Sequence, residues 1–110
     1  MVLEAKQLKI ICDYFSNQPV VLRAYLFGSY SRGEAHKNSD IDLLVEYDYD
    51  QMKNWEFFQI PIDLQKLLSK RVDVVSAQGL SKYVKPFIDK DKILIFESWK
   101  ITFTSASQVS

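Results

Sequence analysis

At 110 residues, 47% apolar and 25% charged, the chain has the length of one compact domain and too little for two, and its composition excludes a disordered or low-complexity protein. A net charge of zero argues against strong nucleic-acid binding through a broad basic surface, and no apolar run approaches the roughly 20 residues of a membrane span. Cys12 is the single cysteine, so no internal disulfide can form; residues 1–6 lack a basic-then-apolar leader, and a cytoplasmic setting is expected.

Leu8, Ile11, Cys12 and Phe15 fall at helical spacing and predict an amphipathic first helix ending near Asn17-Gln18-Pro19, with Cys12 in its buried stripe. Val20 to Phe27, rich in β-branched and aromatic residues and bounded by Pro19 and Gly28, reads as a buried strand. Ser29 to Glu34 is short and polar and reads as a helical turn. Ile41 to Tyr47 is a second strand, followed by the acidic loop Asp48 to Asn54. The next helix carries the stripe Phe57, Ile60, Leu64, Leu67 and Leu68. Pro61 either kinks it or lies in the first turn of its regular part. Arg71 to Ser76 is a third strand and Gln78-Gly79 a turn. Leu80, Tyr83, Val84, Phe87 and Ile88 mark a last helix, broken or restarted by Pro86, and Ile93 to Phe96 is a final strand. The order predicts an α/β (α+β) fold, a single mixed β-sheet packed with helices. The domain is expected over 1–97, with 98–110 as a tail.

The charges are uneven along this order. Glu34 to Glu56 holds seven acidic residues and two basic ones, whereas Leu64 to Lys92 holds seven basic and three acidic. These are either two solvated faces, or an acidic metal-binding rim beside a basic surface for phosphates or a partner.

Asp40 and Asp42 stand two apart at a strand start, which puts both carboxylates on one face, opposite Ile41, Leu43 and Val45. Asp73 lies in another strand; if the two strands are neighbours in register, three carboxylates converge. At about 6 Å and an effective dielectric near 20, each pair would repel by roughly 3 kcal/mol, an upper guide in an open cleft. A divalent cation relieves that repulsion, and hard oxygen donors suit Mg²⁺ or Mn²⁺. Taken alone, Asp-x-Asp also fits a solvated strand start. Upstream, a strand runs into Gly28-Ser29 and a tight turn. Glycine lets backbone approach a phosphate, and the unpaired N–H groups of such a turn attract anions. Taken alone, Ser29 reads as the N-cap of a strand-to-helix turn.

Ten residues separate Ser29 from Asp40. This spacing resembles the Gly-Ser-x10-Asp-x-Asp signature of the DNA polymerase β-like nucleotidyltransferase superfamily. The strings Leu26-Phe27-Gly28-Ser29-Tyr30-Ser31-Arg32-Gly33-Glu34 and Ser39-Asp40-Ile41-Asp42-Leu43-Leu44-Val45 are similar to its minimal nucleotidyltransferase (MNT) branch. So is Arg71-Val72-Asp73-Val74-Val75, at the place of the third carboxylate; the resemblance runs from about Val20 to Phe96. It implies catalytic, metal-binding roles for Asp40, Asp42 and Asp73. Asp40 and Asp42 would hold two Mg²⁺ ions, with Mn²⁺ as an alternative, and Asp73 would hold the ion nearer the attacking hydroxyl. Gly28 and Ser29 would hold ATP phosphates. Arg32 would contact the triphosphate or pair with Glu34, and Ser39 would touch a phosphate or cap the strand.

MNT proteins are typically encoded beside a helical, RNase-like HEPN toxin and act as its antitoxin, several by transferring AMP from ATP to a tyrosine of it. The resemblance therefore implies an antitoxin that adenylylates its partner. Two alternatives stay open: a non-catalytic module that masks the partner, and a nucleotidyltransferase acting on a small molecule or RNA end. Self-association into a homo-oligomer is also open. His36 is expected to be a plain loop residue. Trp55, Phe57 and Phe58 offer a partner patch or base-stacking wall, with core packing expected for at least two of them.

Overall fold

A computed structural model describes residues 3–101 of the chain. Among the described residues, helices α1 (Ala5–Ser16), α2 (Glu56–Leu68) and α3 (Lys85–Asp91) pack with four strands, β1 (Val21–Phe27), β2 (Ile41–Tyr47), β3 (Val72–Ser76) and β4 (Ile93–Glu97). The sheet order is β3-β2-β1-β4. β1 is antiparallel to both β2 and β4, whereas β2 and β3 run parallel. A parallel pair needs a long crossover, and α2 supplies it. The predicted mixed sheet and the order of its elements are found as expected.

Alternation along β2 sends Ile41, Leu43 and Val45 into the core, all fully buried. They meet Ala24 and Leu26 of β1, Ile11 and Phe15 of α1, and Ile60 and Leu64 of α2. Burial of this kind is worth about 1.5–3 kcal/mol per large side chain, so α1 and α2 are held mainly by these four residues. The opposite face carries Tyr25, Asp42, Leu44 and Glu46. There Lys92, just after α3, stands with Nζ 4.6 Å from the Tyr25 ring centre. Arg23 ties three strands together on this layer through Glu46 at 3.0 Å and Glu97 at 2.8 Å.

Several local expectations change. α2 continues through Pro61 rather than starting there, at the loss of one backbone bond to the Phe57 carbonyl. Only Ile60 and Leu64 of its stripe are buried; Leu67 lies largely in solvent. Core packing does not claim two of the three aromatics: Trp55 and Phe58 are exposed, and only Phe57 packs at the core's edge, 5.3 Å from the Tyr47 ring. α3 begins late, with Pro86 in its first turn, and of its predicted apolar stripe only Ile88 is buried. Tyr83 and Phe87 are 74% and 73% exposed. Cys12 is half-buried rather than core, its thiol donating to the Ile95 carbonyl at 3.2 Å. Beyond β4, Ser98 is still buried and its N–H donates to the Leu22 carbonyl at 2.8 Å. The rest of the expected tail, 102–110, lies outside the described residues. No helix among the described residues is long and apolar enough to cross a membrane.

Candidate active site

Asp42 is the second residue of β2 and Asp73 the second of β3, and the parallel register sets them side by side. Asp42 is half-buried and Asp73 exposed. Burial first, then the charges of Asp73 and Asp40, push the Asp42 carboxyl up to about 6; the charge of Arg32 pulls the other way, and a hydrogen bond with Asp73 adds to the rise. Asp40, two residues earlier, precedes the strand.

Among the described residues, no three Asp, Glu, His or Cys side chains stand together as a ready-made metal cage. Charge acts over longer distances than a ligand bond, which reconciles this with the rise at Asp42. The register condition for the convergence is met: Asp42 and Asp73 are in contact, and Asp40 is near enough for its charge to reach Asp42.

Gly28 closes the site from the β1 side. Its φ is +75°, and a β-carbon there would stand 2.2 Å from Asp42 Oδ2. Glycine is thus required twice over, by the left-handed backbone and by the approach of the carboxylate. The expected helical turn is an irregular run of turns. Ser31 N–H and Arg32 N–H donate to the Gly28 carbonyl at 3.1 and 3.2 Å, and Glu34 N–H donates to the Ser29 carbonyl at 2.9 Å. The N–H groups of Ser29 and Tyr30 take no part in these turn bonds, as an anion site requires. The side chain that braces the turn is Ser31, whose Oγ donates to the Gly28 carbonyl at 2.8 Å.

Arg32 makes the ion pair with Glu34 and adds a second one. Nε donates to Glu34 at 3.0 Å, and a terminal NH to Asp91 of α3 at 3.0 Å. Ser39 Oγ accepts from the His36 N–H at 2.9 Å, so Ser39 folds the spacer loop locally; His36 is a loop residue, as expected. One contact escaped the sequence reading: Lys70 Nζ donates to the Lys37 carbonyl at 2.7 Å and lies 5.7 Å from the Tyr30 ring centre. It pins the spacer loop to the end of α2, and nothing in the spacing signals it.

The donor set fits a hard divalent cation. Mg²⁺ keeps much of its water and needs only one or two protein carboxylates, which Asp42 and Asp73 provide. The raised Asp42 carboxyl, short of positive charge, is what such an ion would relieve.

A family profile described as nucleotidyltransferase domain matches residues 4–97. A Methanocaldococcus jannaschii protein, provisionally named a protein adenylyltransferase, is 34% identical over 92 residues, covering 82% of this chain and 88% of its own length. The protein adenylyltransferase MntA of Shewanella oneidensis is 39% identical over 80 residues, covering 71% of this chain and 53% of its own. Among solved structures, a toxin–antitoxin complex with AMP-PNP contains a chain that superposes with a TM-score of 0.68 at 26% identity, covering 96% of this chain and 88% of that one.

Proposed function

The chain belongs to the nucleotidyltransferase domain family, and on that premise we propose that it transfers AMP from ATP, with Mg²⁺ or Mn²⁺, to a tyrosine hydroxyl of a HEPN-type toxin, acting as that partner's antitoxin. The observation that carries this reading is Asp42, pressed between Gly28 and Asp73 with its carboxyl raised to about 6. That arrangement makes little sense for stability and good sense beside a cation and a triphosphate. The names of the relatives and the AMP-PNP complex support the adenylyl group and a protein acceptor.

In the proposed reaction the acceptor oxygen forms a bond to the α-phosphorus, the bond from that phosphorus to the bridging α,β-oxygen breaks, and pyrophosphate leaves. The Ser29 and Tyr30 N–H groups and the Ser29 hydroxyl hold phosphate oxygens. Asp42 and Asp73, with Asp40 drawn in, would hold the divalent ions. Bound ions supply the positive charge that lowers the acceptor's pKa and steadies the leaving group. Asp73, the exposed member of the pair, is open to an entering hydroxyl and takes its proton.

The test is the mass of the partner after incubation with this protein, ATP and Mg²⁺. A gain in AMP units on a hydroxyl side chain is expected, and none with the Asp40→Asn/Asp42→Asn variant. A second reading, a non-catalytic module that masks its partner, draws on the apolar side chains of Tyr83 and Phe87 left in solvent. Inhibition of the partner with no change in its mass would select that reading. No binding and no modification would turn the search to a small-molecule or RNA acceptor.

A further inference from the structure

Helix α2 is apolar on two opposite sides. Ile60 and Leu64 face the core. Two residues before each of them, about 200° round the helix, stand Phe58 and Ile62. Trp55 caps the helix in helical conformation, and its carbonyl accepts from the Phe58 N–H at 3.2 Å, so it extends this outer row by one turn. Trp55, Phe58 and Ile62 are 58%, 74% and 44% exposed. The outer face of α1 is different. It carries Lys6, Lys9, Asp13 and Ser16, all exposed, with Lys9 and Asp13 paired at 2.6 Å. A row of large apolar side chains opposite a core face is the pattern of a helix that is covered on both sides.

The charges at the two ends of α2 indicate what covers it. The lead-in, 48–54, carries Asp48 and Asp50 against Lys53. The exit, 66–71, carries Lys66, Lys70 and Arg71 and no acidic residue. Asp50 and Lys66 are exposed, and among the described residues neither enters an ion pair. An apolar row between an acidic end and a basic end is complementary to its own copy run in the opposite direction, as a two-fold interface requires.

We infer that the protein self-associates as a two-fold dimer in which the α2 helices of two copies pack antiparallel. Centred on Phe58, this pairing sets Phe58 against its own copy and Trp55 against Ile62. It also sets Asp50 against the other copy's Lys66. Helix α2 packs on the face of the sheet that carries Ile41 and Leu43, whereas Asp42 lies on the other face, so both candidate active sites stay open. The inference therefore stands apart from the nucleotidyl-transfer reading. Three side chains from each copy cover less than the roughly 800 Å² per partner of a standard interface, so the dimer should dissociate on dilution.

Sedimentation velocity of the full chain over a range of concentrations tests it. The unaltered chain should approach twice the mass of a single chain as concentration rises, and less readily at high salt. Phe58→Glu, a change at an exposed helical position, should stay a monomer throughout with an unchanged circular dichroism spectrum. Asp50→Lys and Lys66→Glu should each weaken dimerisation about tenfold, because like charges then meet across the interface. An equimolar mixture of those two variants should restore it, since both contacts then join opposite charges. Should Phe58→Glu fail to fold, the charge variants decide. The inference is overturned if the unaltered chain is a monomer at every concentration, which would leave the row to a different protein. It is equally overturned if folded Phe58→Glu still dimerises, or if the mixture associates no better than either variant alone.

Discussion

Gly28 and Asp42 touch so closely that the α-carbon of one leaves no room for a β-carbon beside the carboxylate of the other: the gap would be 2.2 Å. The turn after β1 and the start of β2 are therefore one mechanical unit. Gly28→Ala should cost about 1–2 kcal/mol from the left-handed backbone alone. It should also push the Asp42 side chain aside and abolish Mg·ATP binding. Gly33 is the control: its φ is +73°, yet nothing lies within 4 Å of the added carbon. Gly33→Ala should show a similar strain in urea unfolding and keep nucleotide binding. Equal loss of binding in both variants would refute the contact as the cause.

The raised Asp42 carboxyl makes a prediction for the metal-free protein. Burial, Asp73 and Asp40 raise it from 3.8 to about 6, and Arg32 opposes them. Between those two values the folded chain binds more protons at this group than the unfolded chain. Its contribution to stability therefore falls as pH rises through the window and levels off above it. Asp42→Asn should melt higher than the unaltered protein at pH 7.5, and the difference should shrink toward pH 4. Mg²⁺ should raise the melting point of the unaltered protein at pH 7.5 and not that of the variant. Parallel pH profiles for the two proteins would mean that Asp42 is not the strained group.

Two serines of the turn should separate binding from folding. Ser31 braces the Gly28 carbonyl, so Ser31→Ala should cost about 1 kcal/mol of stability. On the proposed reading Ser29 contacts a nucleotide phosphate. Ser29→Ala should weaken ATP about tenfold, or roughly 1.4 kcal/mol, with little change in unfolding. If Ser29→Ala instead destabilises the fold and leaves ATP affinity intact, Ser29 is the structural residue of the two.

How far the sequence could carry this account depends on which kind of signal each feature leaves. Asp40, Asp42, Asp73 and Gly28-Ser29 were legible because strand alternation and a fixed spacer are local properties of the chain. Their mutual geometry was not. The pairing of Asp42 with Asp73 could be stated only as a condition on register, and the singling out of Asp42 comes from Gly28 packing on it across two strands. Periodicity also cannot tell an apolar face that packs from one that does not. Leu80, Tyr83, Val84 and Phe87 have the spacing of a core stripe, yet Pro86 delays the helix and Tyr83 and Phe87 end in solvent. Trp55 and Phe58 lie off the α2 stripe and are exposed as well, so core packing claims at most Phe57 of the three aromatics.

Arg32 stands between two roles, and the structure suggests how to choose. Its guanidinium is shared by Glu34 beside it and Asp91 at the end of α3, both at 3.0 Å, while its charge also reaches Asp42. Exposed ion pairs of this kind contribute little, so a triphosphate, with more negative charge than either carboxylate, can draw the side chain away at little cost. Asp91→Asn should therefore leave stability within about 0.5 kcal/mol and raise ATP affinity a few-fold, because a competitor for the guanidinium is gone. Arg32→Ala should lower ATP affinity by about fivefold or more, near 1 kcal/mol, and this loss should shrink at high salt. Titrations at two salt concentrations decide the matter. If ATP binds both variants as it binds the unaltered chain, Arg32 serves only to fasten the turn after β1 to α3.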